Sequence, residues 1–273
     1  MIAGPNGSGK STLINALRAD ARFDLPALYI NADDLQRERH IRDPRQVQQI
    51  ANDLRAQALS ARQDVMYETV MSHPSKIAEL QRAKSAGYHI TVLLVATDDP
   101  NVNVQRVAAR VAVGGHDVPE DRTRERYART LALAPVAIGY AHQAFVFDNT
   151  RGGETGDGLS QQAGLIQDRL VPTGSTAARW VLRLIEQVNE RTAELLAFSQ
   201  EPLSLPPALA SLNNNTTSGL ILVVGKHYAL QYDDVTRTAV VHDHVLLGAI
   251  TQHLSRGQSV TLTYSEGVAS EHA

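Results

Sequence analysis

Residues 4–11 read Gly4-Pro5-Asn6-Gly7-Ser8-Gly9-Lys10-Ser11, GPNGSGKS, with Thr12 next. The stretch fits G-x-x-x-x-G-K-[ST] at every fixed position, a match that arises by accident in such a chain with a chance on the order of one in a hundred. Gly4 and Gly9 let the backbone turn tightly and approach a phosphate, with successive N–H groups aimed at one anion. The helix-like STLINALRA that follows adds the positive end of its dipole. Lys10 then reaches the terminal phosphates as a point charge, and the Ser11 hydroxyl holds Mg²⁺. Gly4 through Thr12, including Pro5, Asn6, Gly7 and Ser8, are thus the candidate ATP-binding residues. Such a loop normally hangs from a buried strand, yet only Met1, Ile2 and Ala3 precede it. A shortened first strand is expected, in a protein whose natural start lies further upstream, with lost ladder bonds weakening the fold.

Outward from the loop, short apolar runs alternate with helical periodicity up to about residue 150. The strand-like runs are ALYINADD (27–34), DVMYETV (64–70), HITVLLVATDDP (89–100) and AFVFDNT (144–150). Helices are expected over 11–19, 44–61, 74–86, 100–113 and 119–133, four of them starting at a proline. This alternation predicts an α/β fold, a doubly wound, mostly parallel sheet with its first strand truncated. TRGGETGDGLSQQAG (150–164) reads as loop, 175–198 as one long helix with an apolar stripe, and 204–219 as linker. GLILVVGKHYALQYD, RTAVVHDHV and QSVTLTYSEG then read as short strands, with a helical turn over 246–254. The expected organisation is an α/β phosphate-loop domain over 1–170, helix and linker over 171–217, and a small β-rich module over 218–268.

Composition narrows the function classes. The 273 residues carry 26 Lys plus Arg against 29 Asp plus Glu, a net charge of −3, which offers no general attraction to nucleic acid or an anionic membrane. There are no cysteines, so disulfides and thiolate metal sites are excluded and a reducing cytoplasm suits the chain. No apolar run is long enough to span a bilayer as a helix, and no secretory signal is visible.

In open α/β sheets ligands bind beyond the carboxyl ends of the strands. There the sequence places Asn31, Asp33 and Asp34, then Glu68 and Thr69, then Asp148 and Asn149. An acid such as Asp33 can take the proton of a hydroxyl attacking a γ-phosphate; it can equally cap a helix, and one of Asp33 and Asp34 is expected to do so. Glu68 and Thr69 can bind a substrate hydroxyl or cap the turn. Arg106 and Arg110 share a helical face, a Gly114-Gly115-His116 turn follows, and Arg122, Arg126 and Arg129 line the next helix. Beside an intact phosphate loop, these basic faces predict a lid over a transferring phosphoryl group rather than a solvated surface.

AGPNGSGKST, INADD, YET, GGHDVPEDRTRERYARTL and FVFDNT, in this order, resemble the zeta-toxin kinase family over about residues 2–150. The resemblance implies a P-loop nucleotide-kinase-like fold with residues 1–170 as the kinase domain, ATP and Mg²⁺ as cofactors, and phosphorylation of a sugar hydroxyl of UDP-N-acetylglucosamine. It implies Lys10 and Ser11 at phosphates and metal, Asp33 as base, Glu68 at the substrate and Arg110, with Arg106 nearby, at the transferring group. It also makes room for a protein antitoxin or another plasmid-encoded partner. Val70 and His116 depart from the family pattern, which bears on the particular substrate. Residues 218–265 are similar to the KfrB-type domain of plasmid-encoded proteins. There His242 and His244 flank Asp243; with no further ligand at metal spacing, they read as strand-end residues. Two other functions compete: an ATP-binding regulatory module, and an inactive toxin-like binding protein. Against a motor-type ATPase, Asn149 stands where its glutamate base would follow Asp148.

Overall fold

The structure, a computed structural model, describes residues 1–21, 23–115, 117–152, 158–201 and 206–272. Its first sheet has seven strands. β1 (Ile2–Ala3), β2 (Leu28–Ile30), β3 (Val65–Thr69), β4 (Thr91–Ala96) and β5 (Gln143–Asp148) run parallel, in the order β2-β3-β1-β4-β5. The helices between them are α1 (Lys10–Ala19), α2 (Ala32–Glu38), α3 (Pro44–Ser60), α4 (Ser75–Ser85), α5 (Pro100–Ala112) and α6 (Glu120–Tyr140). This is the expected doubly wound arrangement. α3 and α5 begin at prolines whose missing N–H is no loss in a first turn, and Asp43 and Asp99 cap them through the backbone N–H of Arg45 and Asn101.

β1 is two residues long and lies between β3 and β4, with Ile2 opposite both Glu68 and Leu93. Both its residues are fully buried. This central position delivers the chain at Gly4 to the carboxyl edge of the sheet.

Several expectations are corrected. Residues 150–164, expected as loop, contain the start of β6 (Ser160–Ile166), which pairs antiparallel with β5 and then with β7 (Arg169–Pro172). Ala163 and Leu170 are completely buried while Ser160 and Gln161 face solvent, so the polar outer residues hid the strand. The helix expected over 119–133 continues through Pro135 to Tyr140. Burial of Leu133, Val136, Ala137 and Ile138 outweighs the one ladder bond a proline removes. α7 (Arg179–Ser199) follows β7.

The second sheet has the order β13-β12-β9-β10-β11-β8. Its members are β8 (Ala208–Leu209), β9 (Asn215–Val224), β10 (Tyr228–Asp233), β11 (Thr238–Asp243), β12 (Ser259–Ser265) and β13 (Val268–His272). A four-residue helix, α8 (His244–Leu247), and a 3-10 turn link β11 to β12. The expected linker 204–219 therefore holds β8 and the start of β9. GLILVVGKHYALQYD is not one strand but a hairpin of β9 and β10, turned at Gly225 to His227. One continuous core of buried residues joins β4, β5, α4, α6 and α7 to Leu212, which precedes β9, and to Ile221, Val260, Leu262 and Tyr264 of the second sheet.

Candidate phosphoryl-transfer site

The loop between β1 and α1 needs its glycines for space as well as for rotation. Gly7 and Gly9 adopt φ of +74° and +98°, a region side chains disfavour. A Cβ on Gly4 would overlap the Val95 carbonyl, and one on Gly9 would overlap the Asn149 amide. Gly4 N–H donates to the Thr69 carbonyl (3.2 Å), tying the loop to β3. Two asparagines hold the loop from other elements. Asn149, past the end of β5, donates to the Ser8 carbonyl at 2.9 Å. Asn103, on α5, donates to the Asn6 carbonyl at 2.6 Å and accepts from the Thr97 hydroxyl. Both are buried. Asn103 shares an inward face with Val107, four residues on. A polar residue on an otherwise apolar helix face was the available signal for it.

Lys10 opens α1, and its ammonium donates to the Gly4 (2.9 Å) and Pro5 (3.1 Å) carbonyls. Burial pulls its pKa below the ordinary lysine value, Glu68 and Asp33 pull it back up, and Arg110 and Arg126 lower it again. Four charged groups from other elements or their edges thus act on Lys10 at the loop. Ser11 is exposed on the first turn of α1 beside Lys10, and Thr12 is half-buried. An exposed hydroxyl next to a phosphate loop suits a hard cation that takes its remaining ligands from phosphate and water. Asp148 is committed elsewhere, accepting from the Trp180 indole N–H (2.7 Å) and the Thr150 hydroxyl (2.7 Å).

Asn31, rather than Asp33 or Asp34, caps α2: its Oδ1 accepts from the backbone N–H of Asp33 (2.7 Å) and Asp34 (3.4 Å). Asp34 pairs with Arg37, whereas Asp33 is exposed. Asn31 Nδ2 donates to Glu68 Oε1 (3.0 Å) and to the Tyr29 hydroxyl (3.0 Å), and that hydroxyl donates to Glu68 as well. Thr69 Oγ1 accepts from Met71 N–H (3.0 Å), which caps the turn after β3.

Of the lid residues, Arg126 donates to Asn6 Oδ1 (3.4 Å) of the loop. Gly115 packs against Arg110, and a Cβ there would lie 2.5 Å from Arg110 Cγ. Arg106 does something different from the expected lid role: its guanidinium donates to the carbonyls of Thr150 and Gly152, bracing the segment after β5. Arg122 is exposed, Arg129 pairs with Glu125 (2.6 Å), and His116 lies outside the described residues. In the second sheet His242 is buried between the Tyr264 hydroxyl and Gln231 Oε1, both at 3.0 Å, and is a core residue. No cluster of three or more His, Cys, Asp or Glu suited to a metal occurs among the described residues. A cavity of about 580 Å³ opens near Val65, Thr91 and Gln143, the first residues of their strands, and so at the other end of the sheet from the phosphate loop.

A parallel sheet whose central strand feeds a glycine-rich loop and helix defines the P-loop class of α/β nucleotide-binding folds. The zeta toxin family pattern matches residues 1–138, half of the chain, and the chain belongs to that family. A protein of Haemophilus influenzae is 30% identical over 129 residues, covering 45% of this chain and 88% of that protein. Among solved structures, AvrRxo1-ORF1:ORF2 with ATP aligns at 14% identity and a TM-score of 0.49, over 68% of this chain and 62% of that one. The PezAT toxin-antitoxin system of Streptococcus pneumoniae aligns at 15% identity and a TM-score of 0.43, over 71% and 86%. The chain thus spans less than two thirds of the AvrRxo1 chain it matches. Among the described residues no helix is long and apolar enough to cross a membrane.

Proposed function

We propose that the chain transfers the γ-phosphoryl group of ATP to a hydroxyl of a small molecule, a sugar nucleotide of the UDP-N-acetylglucosamine type. The observation that carries the proposal is the glycine-rich loop between β1 and α1, with Lys10 folded onto it and Arg126 bonded to its Asn6, set beside Asp33 just past β2 and Glu68 near the end of β3. The loop N–H groups and the start of α1 grip the phosphates, and Lys10, Arg110 and Arg126 face the charge that spreads over the transferring group. Asp33, exposed at the start of α2, receives the proton of the acceptor hydroxyl as its oxygen bonds phosphorus. The bond to the β-phosphate oxygen breaks, and ADP leaves with the electron pair. Glu68 binds the acceptor. Mg²⁺, held with ATP by Ser11, would neutralise phosphate charge. The chemistry belongs to residues 1–170, with 171–217 and 218–268 as its attached parts, and a protein antitoxin is the proposed macromolecular partner.

Burial of Asn149 against the loop disfavours the regulatory ATPase alternative, because that side chain holds Ser8 and is no water-activating base. Lys10→Ala and Asp33→Ala should each abolish ATP-dependent phosphorylation of UDP-N-acetylglucosamine, followed by mass spectrometry of the sugar nucleotide. Equal ATP consumption with and without the acceptor would overturn the kinase reading in favour of the ATPase.

A further inference from the structure

The Asn31 side chain is hydrogen-bonded to both acidic parts of the site. Its Oδ1 receives the N–H of Asp33 at 2.7 Å and so sets the first turn of α2, while its Nδ2 reaches Glu68 Oε1 at 3.0 Å on β3. The Tyr29 hydroxyl donates to the same oxygen of Glu68, and the Arg18 guanidinium lies 4.4 Å from the Tyr29 ring centre. Arg18 sits in the last turn of α1, the helix that the phosphate loop opens. Burial, with Glu68 next, pushes the Tyr29 hydroxyl well above its ordinary pKa, so it remains a donor throughout the physiological range. Two donors therefore occupy Glu68 Oε1, and the acceptor capacity of the carboxylate is concentrated on Oε2.

We propose that Asn31 is a positioning residue that holds Asp33 and Glu68 in one acceptor-binding unit. The inference rests on the assignment of Asp33 and Glu68 to the acceptor made above. Asp33 takes the proton of the reacting hydroxyl, and Glu68 Oε2 accepts from the neighbouring hydroxyl or amide N–H.

Capping and bridging can be separated by substitution, because serine and aspartate cap helices about as well as asparagine but lack its amide donor. With UDP-N-acetylglucosamine as probe, Asn31→Ser should lower kcat/KM about 10- to 100-fold, the scale expected when a reacting group is misplaced. The dissociation constant of MgATP should stay within about twofold, and Asn31→Asp should be more impaired than Asn31→Ser because it places a charge beside Glu68. Wild-type kcat/KM in Asn31→Ser, or an equal loss of MgATP affinity, would overturn the positioning role. Wild-type protein inert toward the probe would count against the functional reading only. The bridge is then read from the melting temperatures of Asn31→Ser, Glu68→Gln and the double variant: non-additive shifts support it, and additive shifts overturn it.

Discussion

Asn149 donates to the Ser8 carbonyl and is packed so closely on Gly9 and Gly152 that neither glycine has room for a Cβ. Removing that amide leaves a buried carbonyl without its partner, a cost of about 1–3 kcal/mol. Asn149→Ala is therefore expected to weaken MgATP binding about 5- to 100-fold, measured by isothermal titration, with a lower melting temperature. Gly9→Ala should be worse, since its φ of +98° and the overlap with Asn149 both oppose a methyl group. At this scale the glycines and Lys10 were legible from the motif, because phosphate binding constrains consecutive residues. Asn103 and Asn149 were not legible as loop clamps, because their partner lies about a hundred or more residues away in the chain.

α7 links the two sheets through side chains at both ends. Near its start, Trp180, the only tryptophan of the chain, donates to Asp148 beside Asn149. Further along, Arg191 pairs with Asp243 and lies over the Tyr228 ring, and Glu194 accepts the backbone N–H groups of His227 and Tyr228. Arg191 and Asp243 are both buried, so Arg191→Met leaves a carboxylate uncompensated and should cost about 3–5 kcal/mol, read as a loss of urea-unfolding free energy. MgATP should change the fluorescence of Trp180, and an unchanged signal at concentrations that saturate calorimetry would show that Asp148 does not respond to the nucleotide. The apolar stripe of α7 was legible at its three- and four-residue spacing. What it packs on was not, since amphipathicity specifies a buried face and leaves the covering element open.

Across the whole molecule, the continuous core means that the second sheet buries α6 and α7 as well as itself. Deleting residues 206–272 should expose Leu133, Val136, Val181 and Val188, giving insoluble protein or protein that binds a hydrophobic dye. A second whole-molecule consequence concerns pH. Burial holds the pKa of His242 down to about 4, against 6.5 unperturbed, so the unfolded state takes up its proton first as the medium is acidified. Stability is fully present above about pH 6.5 and falls between 6.5 and 4 by about 3 kcal/mol for this group. The drop in melting temperature over that window should be smaller in His242→Gln. By itself the sequence determined the phosphate loop, the α/β alternation and the acids at the strand ends, because these depend on local spacing and backbone chemistry. Tertiary structure alone decided the hairpin of β6 and β7, the place of β8 and β13 at the sheet margins, the recruitment of Arg106 to the segment after β5, and the bridge from Asn31 to Glu68. Short marginal strands expose polar residues that mask their periodicity, and a hydrogen bond between distant positions exists only once the chain has brought them together.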